Sequence, residues 1–185
     1  MSTPTVAELL VSGGRDLIAR EGSGDLSVRR LVEAAGRSTM CVYTYFGNRK
    51  RLLAEIYRSC ADDLVATLAS AGSPAELSER YSDYAAGHAR HFQYLFADDL
   101  EGLGLDPKLR LDLIDSVLDQ AGERWGATRS EAVARWLVLH GTVWLETVQR
   151  LAGEPGRFDT AGPGTGAGPR PVGQHLPGQL ATAGR

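Results

Sequence analysis

Cysteine is almost missing: Cys41 and Cys60 are the two in 185 residues. They make no disulfide framework, which argues against a small cross-linked secreted fold and for a reducing compartment. No stretch approaches the roughly 18 apolar residues that a membrane helix needs, so no span is expected. The opening residues, MSTPTVAELL, lack a basic segment leading into an apolar core, so no secretory signal is expected and the cytoplasm is the expected location. Catalytic groupings are missing too. There is no glycine-rich phosphate loop, no serine in a nucleophile elbow and no cysteine plainly paired with a histidine. The chain is therefore not expected to be an enzyme or to carry a cofactor. His88 and His91 stand three apart, close to a metal-ligand spacing. Zinc needs at least three ligands and no neighbouring residues clearly complete a set, so no metal is expected. Asp98, Asp99 and Glu101 read as a solvated acidic loop, and no internal repeat is visible.

What is present is the composition of a soluble globular chain, 43% hydrophobic and 23% charged, of a length that suits one or two small domains. Its net charge of −3 is unevenly spread. Residues 1–60 hold nine Lys/Arg against six Asp/Glu, a net of +3, so the remainder carries −6. A positive head on a negative body suits a polyanion held by the head alone.

The stretch from Ser27 to Leu53 organises that head. Val28, Leu31, Val32 and Ala35 repeat at helical spacing, predicting a short amphipathic helix over Ser27–Ala35 with Ser27 as its N-cap. Gly36 stops it, since glycine enters the left-handed region without steric cost. Ser38 caps a second short helix, roughly Thr39 to Tyr43. Two short helices about a glycine turn are the signature of a helix-turn-helix, whose second helix enters the DNA major groove. Before it, Thr5 to Glu21 reads as a helix with a capping box at Thr5 and Glu8. Gly13 and Gly14 in its middle imply close packing against a neighbour. After it, Tyr45 and Phe46 are expected between helices, with Phe46 in the core. Asn48 then caps a long helix to about Ala69, with Leu53, Ile56, Tyr57, Cys60, Leu64 and Leu68 as its buried stripe.

The motif Ala35-Gly36, Ser38, Tyr43-Thr44-Tyr45-Phe46, Arg49, Leu52-Leu53 resembles the DNA-binding signature of TetR-type transcriptional repressors, over roughly residues 5 to 60. Arg37 stands where that family usually has an apolar residue, and Met40 and Cys41 replace its common small residues. The resemblance implies an all-α fold: an N-terminal three-helix helix-turn-helix unit joined by a long helix to a helical ligand-binding and dimerisation domain. It implies a ligand-responsive repressor binding a palindromic double-stranded operator as a homodimer. Ser27, Arg37, Ser38, Thr39, Met40, Tyr43, Thr44, Asn48, Arg49 and Lys50 are the DNA-contact candidates. Tyr43 has a phenol suited to a phosphate oxygen. Thr39, Met40 and Thr44 are the side chains best placed for base edges. Ser27 and Asn48 sit at helix N-termini, which favour anions. Arg49 and Lys50 add charge at the second of these. Cys41 reads as a small packing residue rather than a redox switch.

The expected boundaries are 1–70 for the head with its connecting helix, 73–152 for the body and 153–185 for a tail. Ser73-Pro74-Ala75-Glu76 is a helix start with cap, proline and glutamate in register. The helix it opens is expected to run to His91 or Tyr94. Residues 98–104 look irregular. Asp106-Pro107 opens the next helix, which Gly126 closes. Thr128 and Glu131 form a capping box before the most apolar helix, Ala132 to Leu151, whose apolar surface needs cover from its own domain and from a partner subunit. Within it, Trp136 to Gly141 resembles the tryptophan-histidine-glycine subgroup of TetR ligand domains. Tyr81, Tyr84, His88, Val117, Trp136, His140 and Trp144 are candidates to line a pocket for a small effector, or equally to fill a core. The tail holds nine glycines and five prolines in 33 residues and is expected to be disordered. No further helix is visible to complete a four-helix dimer interface. The alternatives are a helical small-molecule-binding protein and a regulator defective for want of its last helix.

Overall fold

Thr5 starts the first helix by the reciprocal bonds its sequence suggests. Its hydroxyl accepts from the Glu8 N–H, and the Glu8 carboxylate accepts from the Thr5 N–H at 2.7 Å. The computed structural model describes residues 3–158, and among these every regular element is a helix. In chain order they are α1 (Val6–Glu21), α2 (Val28–Ala34), α3 (Thr39–Phe46), α4 (Arg49–Ala69), α5 (Pro74–Gly87), α6 (Ala89–Phe96), α7 (Lys108–Trp125) and α8 (Arg129–Leu151).

The axis of the molecule is α4. It packs on α1 and α3 at its start and on α5, α6 and α7 along the rest. Leu52, Leu53, Ile56, Tyr57, Cys60, Leu64 and Leu68 are buried along it. Three tyrosines tie it to the body by bonds to backbone. Tyr57 donates to Leu95 O at 2.9 Å, Tyr84 to Cys60 O at 3.1 Å and Tyr94 to Leu53 O at 3.4 Å. A buried phenol needs such a partner, and burial pushes the Tyr57 hydroxyl and the Cys60 thiol each up to about 12.

The glycine pair of α1 is explained by its neighbours: Gly13 lies against Ala35 at the end of α2, and Gly14 against the Ile56 side chain of α4. A Cβ on Gly13 would lie 2.7 Å from the Ala35 Cα and 2.8 Å from its N, both backbone atoms that cannot swing aside. Gly13→Ala is expected to destabilise the chain by about 1–3 kcal/mol, even though alanine is the better helix former by roughly 1 kcal/mol. Urea unfolding that shows equal or higher stability in Gly13→Ala would contradict this packing.

Two expectations need correction. The second short helix, α3, does not stop at Tyr43 but runs to Phe46, so Tyr45 and Phe46 form its last turn. Gly47, at φ 76°, ends it, and its N–H bonds to Tyr43 O. Phe46 is half-buried against the core rather than within it, and Tyr45 is exposed. The helix from Pro74 is likewise not continuous to His91 or Tyr94. It breaks at His88, at φ −131° and ψ 43°, after Gly87. The His88 N–H closes α5 on Tyr84 O and its carbonyl opens α6 on the Phe92 N–H. The new direction buries Phe92, Tyr94 and Leu95, and turns His91 toward α1.

Caps at Asn48, Ser73 and Thr128 bond as their sequences suggest, and Gly126 closes α7 in the left-handed region. On α8, Trp136 and Val143 are buried, but Leu137 is 57% and Val138 73% exposed. Leu145, Val148 and Leu111 of α7 are also open to solvent. Residues 153–158 continue as turns, and the expectation for the remaining tail, 159–185, lies outside the described residues. No helix among the described residues is long and apolar enough to cross a membrane.

Candidate nucleic-acid interface

The head is α1 to α3 with the start of α4. Gly36 turns the chain at φ 62°, and the Arg37 N–H bonds back to Val32 O at 2.8 Å. α3 is thereby laid across α1 and α4 with Val42 inward. Its other side faces solvent: Met40 is 68% and Tyr43 55% exposed, and Thr39, Thr44, Arg37 and Ser38 are exposed beside them. The Thr44 hydroxyl donates to Met40 O at 3.0 Å, and its oxygen can still accept. Ser38 lies 3.5 Å from the Cys41 sulfur, and Cys41 is half-buried.

Two helix N-termini flank this surface. Ser27 opens α2 without a side-chain cap bond; its own N–H donates to Asp25 Oδ1 at 3.0 Å, which holds the Asp25 carboxyl below its usual range. Asn48 opens α4 and accepts from the Arg51 N–H at 2.9 Å. Lys50 is exposed one residue into that helix. Arg49 is placed otherwise than its neighbours. Its guanidinium is half-buried and donates to Leu26 O at 2.7 Å and to Leu103 O at 3.1 Å. Since Leu26 precedes Ser27, this bond brings the starts of α2 and α4 together. Two helix N-termini, each with first-turn N–H groups that have no partner within the helix, thus lie close together, a favourable place for anions. Sequence reasoning left out Tyr45 and Arg51. Both are exposed, and with Lys50 and Lys108 they line a concavity of about 850 Å³ between the start of α4 and α7.

In the body, four of the seven pocket candidates come together. The Tyr81 hydroxyl meets His140 Nδ1 at 2.7 Å, Trp136 stacks on His140 with centroids 4.8 Å apart, and Trp144 lies 6.4 Å from Phe92. Phe92 and Phe96 complete this set of touching rings. The Trp136 Nε1 is buried there with no hydrogen-bond partner. Tyr84 and His88 stack on each other elsewhere, and Val117 is buried on α7. Of the seven, His88 alone lines one of the two large concavities, the one of about 810 Å³ beside α1. The His88 and His91 rings stack at 5.9 Å, and among the described residues no group of three or more His, Cys, Asp or Glu is placed to hold a metal.

Burial lowers the pKa of His91 and of His140 from 6.5, because a low-dielectric surround disfavours the imidazolium. The unfolded chain then binds more protons than the native one as pH falls below that value. The stability these neutral rings confer is complete above pH 6.5 and is lost as pH falls through their folded pKa values. Thermal melts should therefore shift down between neutral pH and about pH 5, and less so in His140→Asn. A melting temperature flat across that window would contradict the assignment.

An all-helical chain with a helix-turn-helix head on a helical body is thus the class of fold. Residues 10–56 match the family model described as bacterial regulatory proteins, tetR family; this span covers α2, α3 and the facing parts of α1 and α4. In fold the chain is similar to a tetR-family transcriptional regulator from Streptomyces coelicolor, with a TM-score of 0.64 at 21% identity over 81% of this chain and 73% of that one. It is also similar to a protein from Rhodococcus sp. RHA1 described as a transcriptional regulator, with a TM-score of 0.55 at 16% identity over 80% of this chain and 85% of that one. No curated protein matches it.

Proposed function

We propose that the chain is a DNA-binding transcriptional regulator, a cytoplasmic repressor that holds a palindromic operator as a homodimer and releases it when a small molecule enters the body. The observation that carries this reading is the outward face of α3, with Met40 and Tyr43 exposed and two helix N-termini joined beside it through Arg49 and Leu26. The match of residues 10–56 supports it. In this reading residues 1–70 are the head with its connecting helix and 73–152 the body. Thr39, Met40 and Thr44 read bases. Tyr43, Arg37, Ser38, Ser27, Asn48 and Lys50 hold phosphates. The exposed apolar residues of α7 and α8, Leu111, Leu137, Val138 and Leu145, meet their counterparts in a second copy. The effector is an apolar or aromatic compound received by the rings around Trp136 and His140, in the tryptophan-histidine-glycine segment.

Capture of the genomic DNA fragments bound by the full chain tests the reading as a whole. A palindromic site near a defined set of genes is the expected outcome; a chain that ignores duplex DNA at low ionic strength overturns it. Tyr43→Phe is expected to weaken operator binding by about 1 kcal/mol, alike across sequences, by removing a phosphate contact. A loss confined to one base position would contradict that role.

A further inference from the structure

We propose that the DNA duplex under α3 continues past the helix-turn-helix and is held a second time at the concavity between the starts of α4 and α7, with Lys108 of the body on its backbone. This contact rests on the regulator function proposed above and adds to it a residue from outside the head. The concavity is continuous with the face of α3. Tyr45, Asn48 and Lys50 line it and are exposed beside Tyr43 and Thr44. Its far wall is Leu105, Lys108 and Leu109. Its charge complements a polyanion. Of the carboxylates that line it, Glu55 pairs with Arg58 at 2.6 Å, and Asp106 accepts from the Lys108 N–H at 3.0 Å. That leaves Asp112 against three cations, Lys50, Arg51 and Lys108, whose side chains make no ion pair or hydrogen bond among the described residues.

Two further features set these cations apart from an ordinary solvated surface. Lysine is scarce: Lys50 and Lys108 are the only lysines in the sequence, yet both line this one concavity from different helices. A lysine ammonium is a compact point charge that suits a phosphate. The cations also stand where a helix disfavours them. α1, α5 and α8 each carry a glutamate in the first turn, as the positive end of the helix dipole favours. α4 opens with Arg49, Lys50 and Arg51 and α7 with Lys108, and neither has an acid in its first turn. Two positive helix ends with their cations repel one another across the concavity, and a backbone phosphate between them relieves that repulsion. Such a contact positions the duplex and reads no bases.

The test is lysine acetylation of the full chain, alone and saturated with the palindromic duplex recovered by genomic capture, read by mass spectrometry. With two lysines in the sequence, each is followed separately. The duplex extends one helical turn, about 10 base pairs, beyond the palindrome at each end. Lys50 and Lys108 should both be protected, and Lys108 should lose its protection on a duplex cut at the palindrome. In Lys108→Gln, at an exposed position whose side chain has no bond to lose, affinity for the longer duplex should fall about threefold or more for each copy bound, with the salt slope reduced by about one. The melting temperature should hold, and Lys108→Arg should restore the slope. Protection of Lys50 without Lys108, equal protection of Lys108 on both duplexes, or an unchanged salt slope in Lys108→Gln would each overturn this contact and leave the regulator function standing. A chain that binds no duplex would overturn both.

Discussion

Phe92→Ala is expected to destabilise the chain by about 3–5 kcal/mol, the usual cost of emptying a fully buried aromatic site. In a chain of this size that is a fall in Tm of roughly 6–20 °C. Phe92 has no exposed surface and touches Tyr81, Phe96, His140 and Trp144. Those rings come from α5, α6 and α8, three helices that pack on one another. Phe92 is thus the common wall of the body. Its loss also frees the Tyr81–His140 pair, the polar bond at the middle of the cluster. Differential scanning calorimetry gives the Tm, and urea titration the free energy. A change below about 1.5 kcal/mol, the usual ceiling for a volume-conserving swap, would show that the rings are loosely packed and that the space is already shared with solvent or a ligand. Phe92→Leu, which keeps most of the volume, should recover most of the loss.

The position of Phe92 was readable from its spacing, but the direction it faces was not. The stripe Leu77, Tyr81, Tyr84, Ala85, His88, Phe92 keeps helical period across Gly87 and His88, so nothing in the pattern marks the break there. The break follows from a tertiary demand: Tyr94, Leu95 and Phe92 must face α4 and α8 while His91 reaches Arg15 O. Helix starts were legible where a cap is a local bond; Ser27 and Ser38 stand at the N-cap positions of α2 and α3 without a side-chain cap bond. Thr5, Asn48, Ser73 and Thr128 each find their partner within three residues. The end of α3 differs from expectation because Tyr45 and Phe46, read as lying between helices, continue the helix until Gly47 stops it. The head was legible in outline, since a glycine turn between two short apolar patterns dictates its geometry. Which side chains face outward needed the packing of α3 on Val42.

Arg49 is where sequence and structure give opposing outcomes for one experiment. By sequence it is a basic residue at a helix N-terminus, a phosphate contact. By structure its guanidinium is a strut, donating to Leu26 O ahead of α2 and to Leu103 O in the loop ahead of α7. Arg49→Ala leaves two backbone carbonyls without their donors in a half-buried place. Hydrogen bonds from a charged group contribute about 1.5–3 kcal/mol when buried; with partial solvent access, a total near 2–3 kcal/mol is expected. Lysine should restore little of this, because an ammonium on a flexible stem does not reproduce a planar fork aimed at two acceptors. The strut also fixes the start of α4 against the start of α2, so operator affinity should drop in Arg49→Ala by loss of alignment, with the salt dependence of binding unchanged. A phosphate contact predicts the reverse: full stability in urea and a salt slope reduced by about one. Measuring both quantities on the one variant separates the two roles, because removing a strut and removing a counter-charge leave different marks.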